Sequence, residues 1–322
     1  MPLSINTNMA ATRASFYLSK NNNMLQQSLD RLSSGKRINN SSDDAGGLAV
    51  SMKMQGTIDR LTGAESNIGN AISFLQVQDG ILESAGNIVS RMGELKGLYG
   101  DVLKNTTDKA TYDAEFQDLL GQMFQLAQTQ FNGVSLFSQD ANGDGAGGAA
   151  GVALAEFGVG TGNGLNAKTQ TVFTTADGSS GSGVSINQTL LLAAITFTNA
   201  SGASAKAFSA SGADGTFSLA SKTASSKTLE DTNFTTALFT KALENIASLR
   251  AQNGGSVSRL QYAQEDVMAQ KTNLEAANGR IMDVDIARES TELAKYNILV
   301  QASASMVAQA SVSTDVALML LR

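Results

Sequence analysis

Apolar residues recur at seven-residue intervals over long stretches near both ends of the chain. A repeat of this length keeps one face of an α-helix turned toward a partner helix. The pattern therefore predicts long paired helices whose partners lie far away along the chain or in another molecule. The three longest series are Leu61, Ile68, Leu75, Leu82 and Val89, then Leu260, Val267, Leu274 and Ile281, then Leu293, Val300, Val307, Thr314 and Leu321.

A shorter series near the start of the chain completes the helical pattern. Ala11, Leu18, Leu25 and Leu32 are spaced by seven, and Gly35 follows as a stop signal. Together the four series predict a mainly α protein, in which a nested coiled-coil bundle is built from both chain ends. The predicted helices cover residues 4–33, 44–104, 108–129, 229–285 and 286–321.

Two junctions between these helices carry start or break signals. In Ser41-Ser42-Asp43-Asp44 we expect a serine cap, with carboxylates that favour the positive end of the helix dipole. The interval from Ile281 to Leu293 is 12 residues and not a multiple of seven. The pattern therefore predicts a break in register near residues 283–288.

The middle of the chain has a different composition. Residues 139–228 contain 15 of the 31 glycines, no arginine and nine charged residues. Stretches such as TVFTTADGS suggest short strands joined by turns that contain Gly, Asp or Asn. We therefore expect a small β-rich or irregular outer domain inserted between the helices.

Composition excludes several classes of function. The chain has no His and no Cys, which rules out Ser-His-Asp triads, cysteine nucleophiles and ordinary zinc sites. Its net charge of −6 argues against nucleic acid, which needs a clustered basic surface. Residues 296–314 carry no formal charge but are too polar to span lipid alone, so we expect a buried helix there. No cofactor and no enzymatic activity are expected.

The motifs that could carry chemistry are better explained by structure. LSSGKR resembles a phosphate-binding loop, but Asp30 and Arg37 occupy the positions that require Gly and Ser or Thr. The pairs Asp43-Asp44 and Asp283/Asp285 fit helix caps and interhelix salt bridges, with Arg31 and Arg37 among the available basic partners. The run ANGDGAGGAAG at 141–151 is a single copy of a pattern that binds calcium in tandem arrays.

The two terminal stretches, 4–33 and 286–321, are apolar and poor in charge. Two helices that pack only on each other would leave much of this apolar surface exposed. Burial by neighbouring copies resolves the problem, and head-to-tail contacts that do not close generate a helical polymer. The pattern therefore favours an assembly protein over an enzyme.

Several motifs resemble those of bacterial flagellin. They are SINTN at 4–8, RLSSGKRINNSSDDAGGLAVS at 31–51, TQFNGVSLF at 129–137 and NLEAANGRIMDVDIARESTELAKYNILVQASASMVAQA at 273–310. The resemblance covers about the first 138 and the last 95 residues. It implies an inner filament core from 1–35 and 286–322, a helical layer with a short β-turn segment from 36–138 and 229–285, and a variable, surface-exposed insertion at 139–228.

The resemblance also implies roles for individual residues. Those expected at subunit contacts are Leu18, Leu25, Leu32, Leu293, Val300, Val307, Leu318 and Leu321. Those expected to cap helices or connect the two layers are Arg31, Arg37, Ser41, Asp43, Asp44, Asp283 and Asp285. Residues 89–95 resemble the stretch that a host innate receptor reads in some flagellins, which suggests a receptor surface of Arg91, Leu95 and Glu115, although Gly93 stands where a basic residue is common.

The partners that the resemblance implies are those of a secreted, extracellular filament. Copies of the chain form a homopolymer, a flagellar export chaperone holds the C-terminal helices, and the type III export apparatus carries the chain. Filament cap and hook-junction proteins meet the ends of the polymer. Two alternatives stay open: a hook–filament junction protein of the same architecture, and a hydrolase working through the scattered carboxylates of the insertion.

Overall fold

The helices of the computed structural model follow the predicted pattern. The structure describes residues 8–137, 169–197, 217–220, 228–232 and 234–320. Its helices are α1 Met9–Ser34, α2 Ala45–Tyr99, α3 Thr106–Leu126, α4 Leu191–Ala194, α5 Thr236–Met282 and α6 Ile286–Leu320. The mainly α fold class with a small strand-containing middle is confirmed. Residues 4–7 and 321 of the predicted helices, and most of the predicted insertion, lie outside the described residues.

Short antiparallel strand pairs and a 3-10 helix at Gly178–Ser180 make up the rest of the regular structure that is described. The strand pairs are β1 Gln130–Phe131 with β2 Val134–Ser135, β3 Thr169–Phe173 with β4 Gly183–Asn187, and β5 Thr196–Phe197 with β6 Phe217–Ser218. In the β1–β2 hairpin the turn residues Asn132 and Gly133 have φ angles of 50° and 78°. This turn geometry matches the right-handed twist of the flanking strands and explains the Asn-Gly pair.

Contacts between residues divide the chain into two compact units. The terminal unit comprises Met1–Asp59 and Gln270–Arg322, and the central unit comprises Arg60–Ala269. Both boundaries fall inside helices, within α2 and within α5. The three-part division inferred from the resemblance stays a prediction, since it concerns layers of a polymer.

In the terminal unit, α1 and α6 pack against each other in antiparallel orientation. The Asn8 side chain donates to the Ala310 carbonyl near one end of the pair (2.8 Å), and the Asn21 amide donates to the Ser303 hydroxyl nearer the middle (2.8 Å). The seven-residue positions whose side chains are described, from Ala11 to Leu32 in α1 and from Leu293 to Val307 in α6, are half-buried along this contact. The first and last apolar series are therefore partners within one chain.

A further polar contact of this pairing is buried. Ser28 and Glu289 are 2% and 8% exposed, and the Ser28 hydroxyl donates to Glu289 Oε1 at 2.6 Å. The Arg31 guanidinium lies 4.0 Å from the other carboxylate oxygen. A shift in register would leave a buried carboxylate without partners, which is costly, so this contact favours one alignment of the helices.

In the central unit, α2 supplies the spine of the core. Its series Leu61, Ile68, Leu75, Leu82 and Val89 is almost fully buried, as are Leu260 and Val267 of α5. From α3, Phe116 packs edge-to-face against Phe234 and Phe239, with ring centroids 5.1 and 6.4 Å apart. These series are satisfied within one chain, in accord with their spacing.

Replacing Gly133 by Ala is expected to destabilise the central unit. A side chain at a φ of 78° costs about 1–2 kcal/mol. Gly121→Ala is the matched control, because Gly121 lies within α3, has open space where a Cβ would stand, and alanine is the better helix former. In urea unfolding, the free energy of unfolding should fall for Gly133→Ala and rise for Gly121→Ala. Equal changes in the two variants would contradict the role of Gly133 in the turn.

Replacing Ser28 by Ala is expected to weaken the α1–α6 pairing by about 1–3 kcal/mol, because a buried carboxylate oxygen loses its donor. Hydrogen exchange of the α1 and α6 amides is the measurement. Ser19→Ala is the control, since Ser19 is exposed on the same helix and should change stability by no more than about 0.5 kcal/mol. Unchanged exchange in Ser28→Ala would show that the buried contact does not hold the pair.

Candidate functional site

The terminal unit carries large apolar side chains on the outside of the α1–α6 pair. They are between 38% and 68% exposed, and we call them the terminal apolar face. The members on α1 are Met9, Phe16, Tyr17 and Leu29, and those on α6 are Ile286, Ile298, Leu299, Met306 and Val312. Folded monomers rarely expose so much apolar surface unless it meets a partner.

Little charge interrupts this face. Residues 296–312 of α6 contain no charged side chain, and α1 contains only Arg13, Lys20, Asp30 and Arg31. The rings of Phe16 and Tyr17 pack edge-to-face, with centroids 5.8 Å apart. An aromatic pair of this kind presents a large apolar area at a small cost in side-chain entropy. The surface is suited to contact with other apolar helices.

The residues predicted at subunit contacts lie elsewhere on these helices. Leu18, Leu25 and Leu32 of α1 and Leu293, Val300 and Val307 of α6 are half-buried in the intrachain contact. Leu321 and the side chain of Leu318 lie outside the described residues. The exposed positions fall between the seven-residue series, as Phe16-Tyr17 and Ile298-Leu299 show. The seven-residue spacing alone did not identify these exposed positions. The signal that could have identified them is the presence of large apolar residues outside the repeat.

The predicted break between α5 and α6 is present, and it lies beside the turn after α1. The Arg37 amide donates to the Met282 carbonyl at 2.6 Å, and the Val284 amide donates to the Gly35 carbonyl at 3.1 Å. Gly35 has a φ of 71°, which glycine adopts at little cost. Arg37 thus contributes its backbone here, while its side chain is exposed.

The acidic residues at this junction take part in hydrogen bonds with backbone groups. Asp285 caps α6 by accepting from the amides of Ala287 (3.0 Å) and Arg288 (3.2 Å). Asp283 pairs through its backbone with Lys36 in an antiparallel bridge. In the described part of the chain no group of three or more acidic side chains is placed to hold a metal ion.

The cap of α2 differs from the prediction. Asp44 accepts from the Gly47 amide at 2.9 Å and is the residue before the first helical position. The cap assigned to Ser41 was therefore wrong: Ser41 lies three residues earlier and is exposed. A Cβ at position 47 would stand 2.5 Å from Asp44 Oδ2, so the close fit of this cap requires glycine.

Asp43 orders the turn that precedes the cap. Its carboxylate accepts from the amides of Asn40 (3.0 Å) and Asn39 (3.1 Å) and from the Gln27 side chain (2.7 Å). These hydrogen bonds, that from Asn40 first, hold the pKa of Asp43 below its usual value. Asp43 therefore joins α1 to the 39–43 turn, which is a structural role.

The residues predicted to form a receptor surface separate into two groups. Arg91 pairs with Glu115 through two hydrogen bonds of 2.7 and 3.1 Å, and both side chains are about 40% exposed. The Glu115 carboxylate, followed by Glu94, raises the pKa of Arg91 above its usual value. Leu95 is fully buried, because its position on α2 faces the core, so it does not belong to that surface.

No described helix is both long enough and apolar enough to cross a membrane.

Comparison with known proteins gives matches over nearly the whole chain. Residues 5–142 match the model of the bacterial flagellin N-terminal helical region, and residues 236–321 match the model of the C-terminal helical region. A flagellin of Bacillus subtilis is 33% identical, over 99% of both chains. A flagellin of Listeria monocytogenes is 31% identical, over 96% of both chains. The flagellar filament 30.7 kDa core protein of Treponema maltophilum is 30% identical, over 98% of this chain and 99% of that one.

The two matched regions are those that form the terminal unit, α3 and most of the central core. The exposed apolar helices, the intrachain pairing and the two family models all lead to the same assignment: the chain belongs to the bacterial flagellin family.

Proposed function

We propose that this protein is a structural subunit that polymerises into the bacterial flagellar filament through its terminal apolar face. The observation that carries the proposal is the exposure of nine large apolar side chains on α1 and α6, outside the contact that these helices make with each other. Several relatives match nearly the whole length of the chain, and the one from Treponema maltophilum is named a flagellar filament core protein.

The energy available from this face is of the size that polymerisation requires. Complete burial of a large, fully exposed apolar side chain contributes about 1.5–3 kcal/mol. Because the nine residues are already partly buried, their remaining exposed area would contribute roughly 8–16 kcal/mol, which is comparable with the roughly 4–15 kcal/mol that association costs in lost freedom and ordering. Contacts that join different parts of the face on successive copies are head-to-tail, and they extend into a helical polymer.

The finer roles are those that the resemblance to flagellin implies. A chain without Cys forms no disulfide that would hinder export in an unfolded state through a type III apparatus. An export chaperone would cover the apolar residues of α6 before assembly, and cap and hook-junction proteins would meet the polymer ends. The product is an extracellular filament, and the subunit has a structural role and requires no cofactor.

Two other predictions belong to this proposal. Residues 1–35 and 286–322 form the inner core of the filament, and 36–138 with 229–285 form the layer around it. Arg91 and Glu115 supply an exposed ion pair to a host innate receptor. The hook–filament junction alternative is less well supported, because the three relatives described above are flagellins and a filament core protein.

Replacing Phe16 by Asp is expected to abolish polymerisation and leave the monomer folded. Phe16 is 66% exposed, so the charge is solvated in the free chain but would be buried at a subunit contact. Sedimentation of polymer and electron microscopy measure assembly. The free energy of unfolding in urea should change by no more than about 0.5 kcal/mol.

The same substitution at Phe173 is the matched control. Phe173 lies on β3 in the region predicted to face solvent and is 37% exposed. Phe173→Asp should polymerise normally. Normal filaments from Phe16→Asp would exclude the terminal apolar face as the assembly surface.

A further inference from the structure

Two of the nine side chains on the terminal apolar face are methionines. Met9 of α1 is 68% exposed, and Met306 of α6 is 62% exposed. Met9 precedes Phe16 by seven residues, and Met306 follows Leu299 by seven. Residues seven apart lie on nearly the same side of an α-helix. Each methionine therefore continues the line of large apolar side chains that its helix presents to solvent.

The two methionines lie toward the same end of the α1–α6 pair. The side chain of Asn8, next to Met9, donates to the Ala310 carbonyl at 2.8 Å. Met306 precedes Ala310 by four residues, which is about one turn of α6. This end of the face thus carries two thioethers, and α6 has no charged side chain between residues 296 and 312.

Methionine is the side chain that a peroxide attacks first in this chain, because the sequence contains no Cys. A sulfur must be exposed to meet the oxidant. Among the described side chains, Met52 on α2 and Met268 on α5 are also exposed, at 66% and 47%. In the free subunit, Met9 and Met306 are therefore as open to a peroxide as any described methionine.

We propose that Met9 and Met306 form a modification site through which a peroxide controls polymerisation. The inference rests on the proposed function and concerns the chemical state of the same face. The thioether sulfur attacks one oxygen of hydrogen peroxide, so that an S–O bond forms and the O–O bond breaks. Sulfur loses two electrons and becomes a sulfoxide. The proton on the transferred oxygen passes to the departing hydroxide, which leaves as water.

A sulfoxide affects the free and the assembled subunit unequally. It makes an apolar side chain polar, with an oxygen that accepts hydrogen bonds. In the free subunit water hydrates this oxygen, because both side chains are mostly exposed, so the fold is kept. At a subunit contact the same oxygen would be buried among apolar side chains without a donor, which disfavours assembly. Oxidation should therefore block polymerisation without unfolding the subunit.

Peroxide treatment of the free wild-type subunit is the first test. The critical concentration for polymerisation should rise at least about tenfold, since a buried polar group without a partner is costly. Peptide mass spectrometry should find one added oxygen on Met9 and on Met306, and none on Met92, which is fully buried. The circular dichroism of the helices should not change. Treatment with methionine sulfoxide reductases and a thiol should restore polymerisation.

Leucine variants assign the effect to the two methionines. Met9→Leu combined with Met306→Leu removes both sulfurs and nearly conserves the apolar volume. This variant should polymerise, and its critical concentration should not change after peroxide treatment. Met52→Leu combined with Met268→Leu is the matched control, because it removes two exposed sulfurs outside the terminal apolar face. The control should stay as sensitive to peroxide as the wild type.

Partly oxidised wild type provides a measurement that needs no substitution. After polymerisation and sedimentation, sulfoxide at Met9 and Met306 should remain in the supernatant. Sulfoxide at Met52 and Met268 should be divided evenly between pellet and supernatant. This measurement decides the question if the leucine variant of the face does not assemble.

The outcomes separate the methionine site from the proposed function. Normal polymerisation of the oxidised wild type, or equal sensitivity of the two leucine variants, would overturn the site and leave the proposed function standing. An even distribution of sulfoxide at Met9 and Met306 would overturn it as well. If the untreated wild type does not polymerise, the proposed function itself fails.

Discussion

The pairing of α1 with α6 is the constraint on which the terminal unit depends. A helix in a two-helix pair buries only one face, and here that face is the seven-residue series. The remaining apolar side chains stay exposed because no third helix in the described part of the unit covers them. The hydrogen bonds thus align the pair, but part of its apolar surface stays unburied. Polymerisation would bring in the neighbouring subunits that bury this surface.

Polar contacts decide which arrangement of the pair is presented to those neighbours. Apolar series alone permit slippage by a heptad, whereas the buried bond between Ser28 and Glu289 is satisfied in one register only. At the end of the pair, the amides of Arg37 and Val284 tie the turn after α1 to the break before α6. The outward positions of Phe16 and Ile298 follow from this fixed alignment, so the proposed assembly surface is set by contacts that lie behind it.

The helices were predictable because their period is strong and local. The predicted break near 283–288 is found at residues 283–285, and most helix ends fall within a few residues of the predicted ones. The outward face was not predictable from spacing, since a seven-residue series does not reveal whether its partner is in the same chain. The burial of Leu95 and the choice of Asp44 over Ser41 as cap depend on tertiary packing and on the path of the turn, which residue preferences do not determine.

The terminal apolar face is exposed over two whole helices, so its burial would supply most of the association energy. The pairing of α1 with α6 holds this face in one arrangement before contact, because the Ser28–Glu289 bond and the backbone bonds of Arg37 and Val284 fix the alignment of the two helices. A preorganised surface loses little entropy on binding. The apolar side chains would therefore drive polymerisation, while the polar contacts behind them lower its ordering cost and restrict each incoming subunit to one orientation.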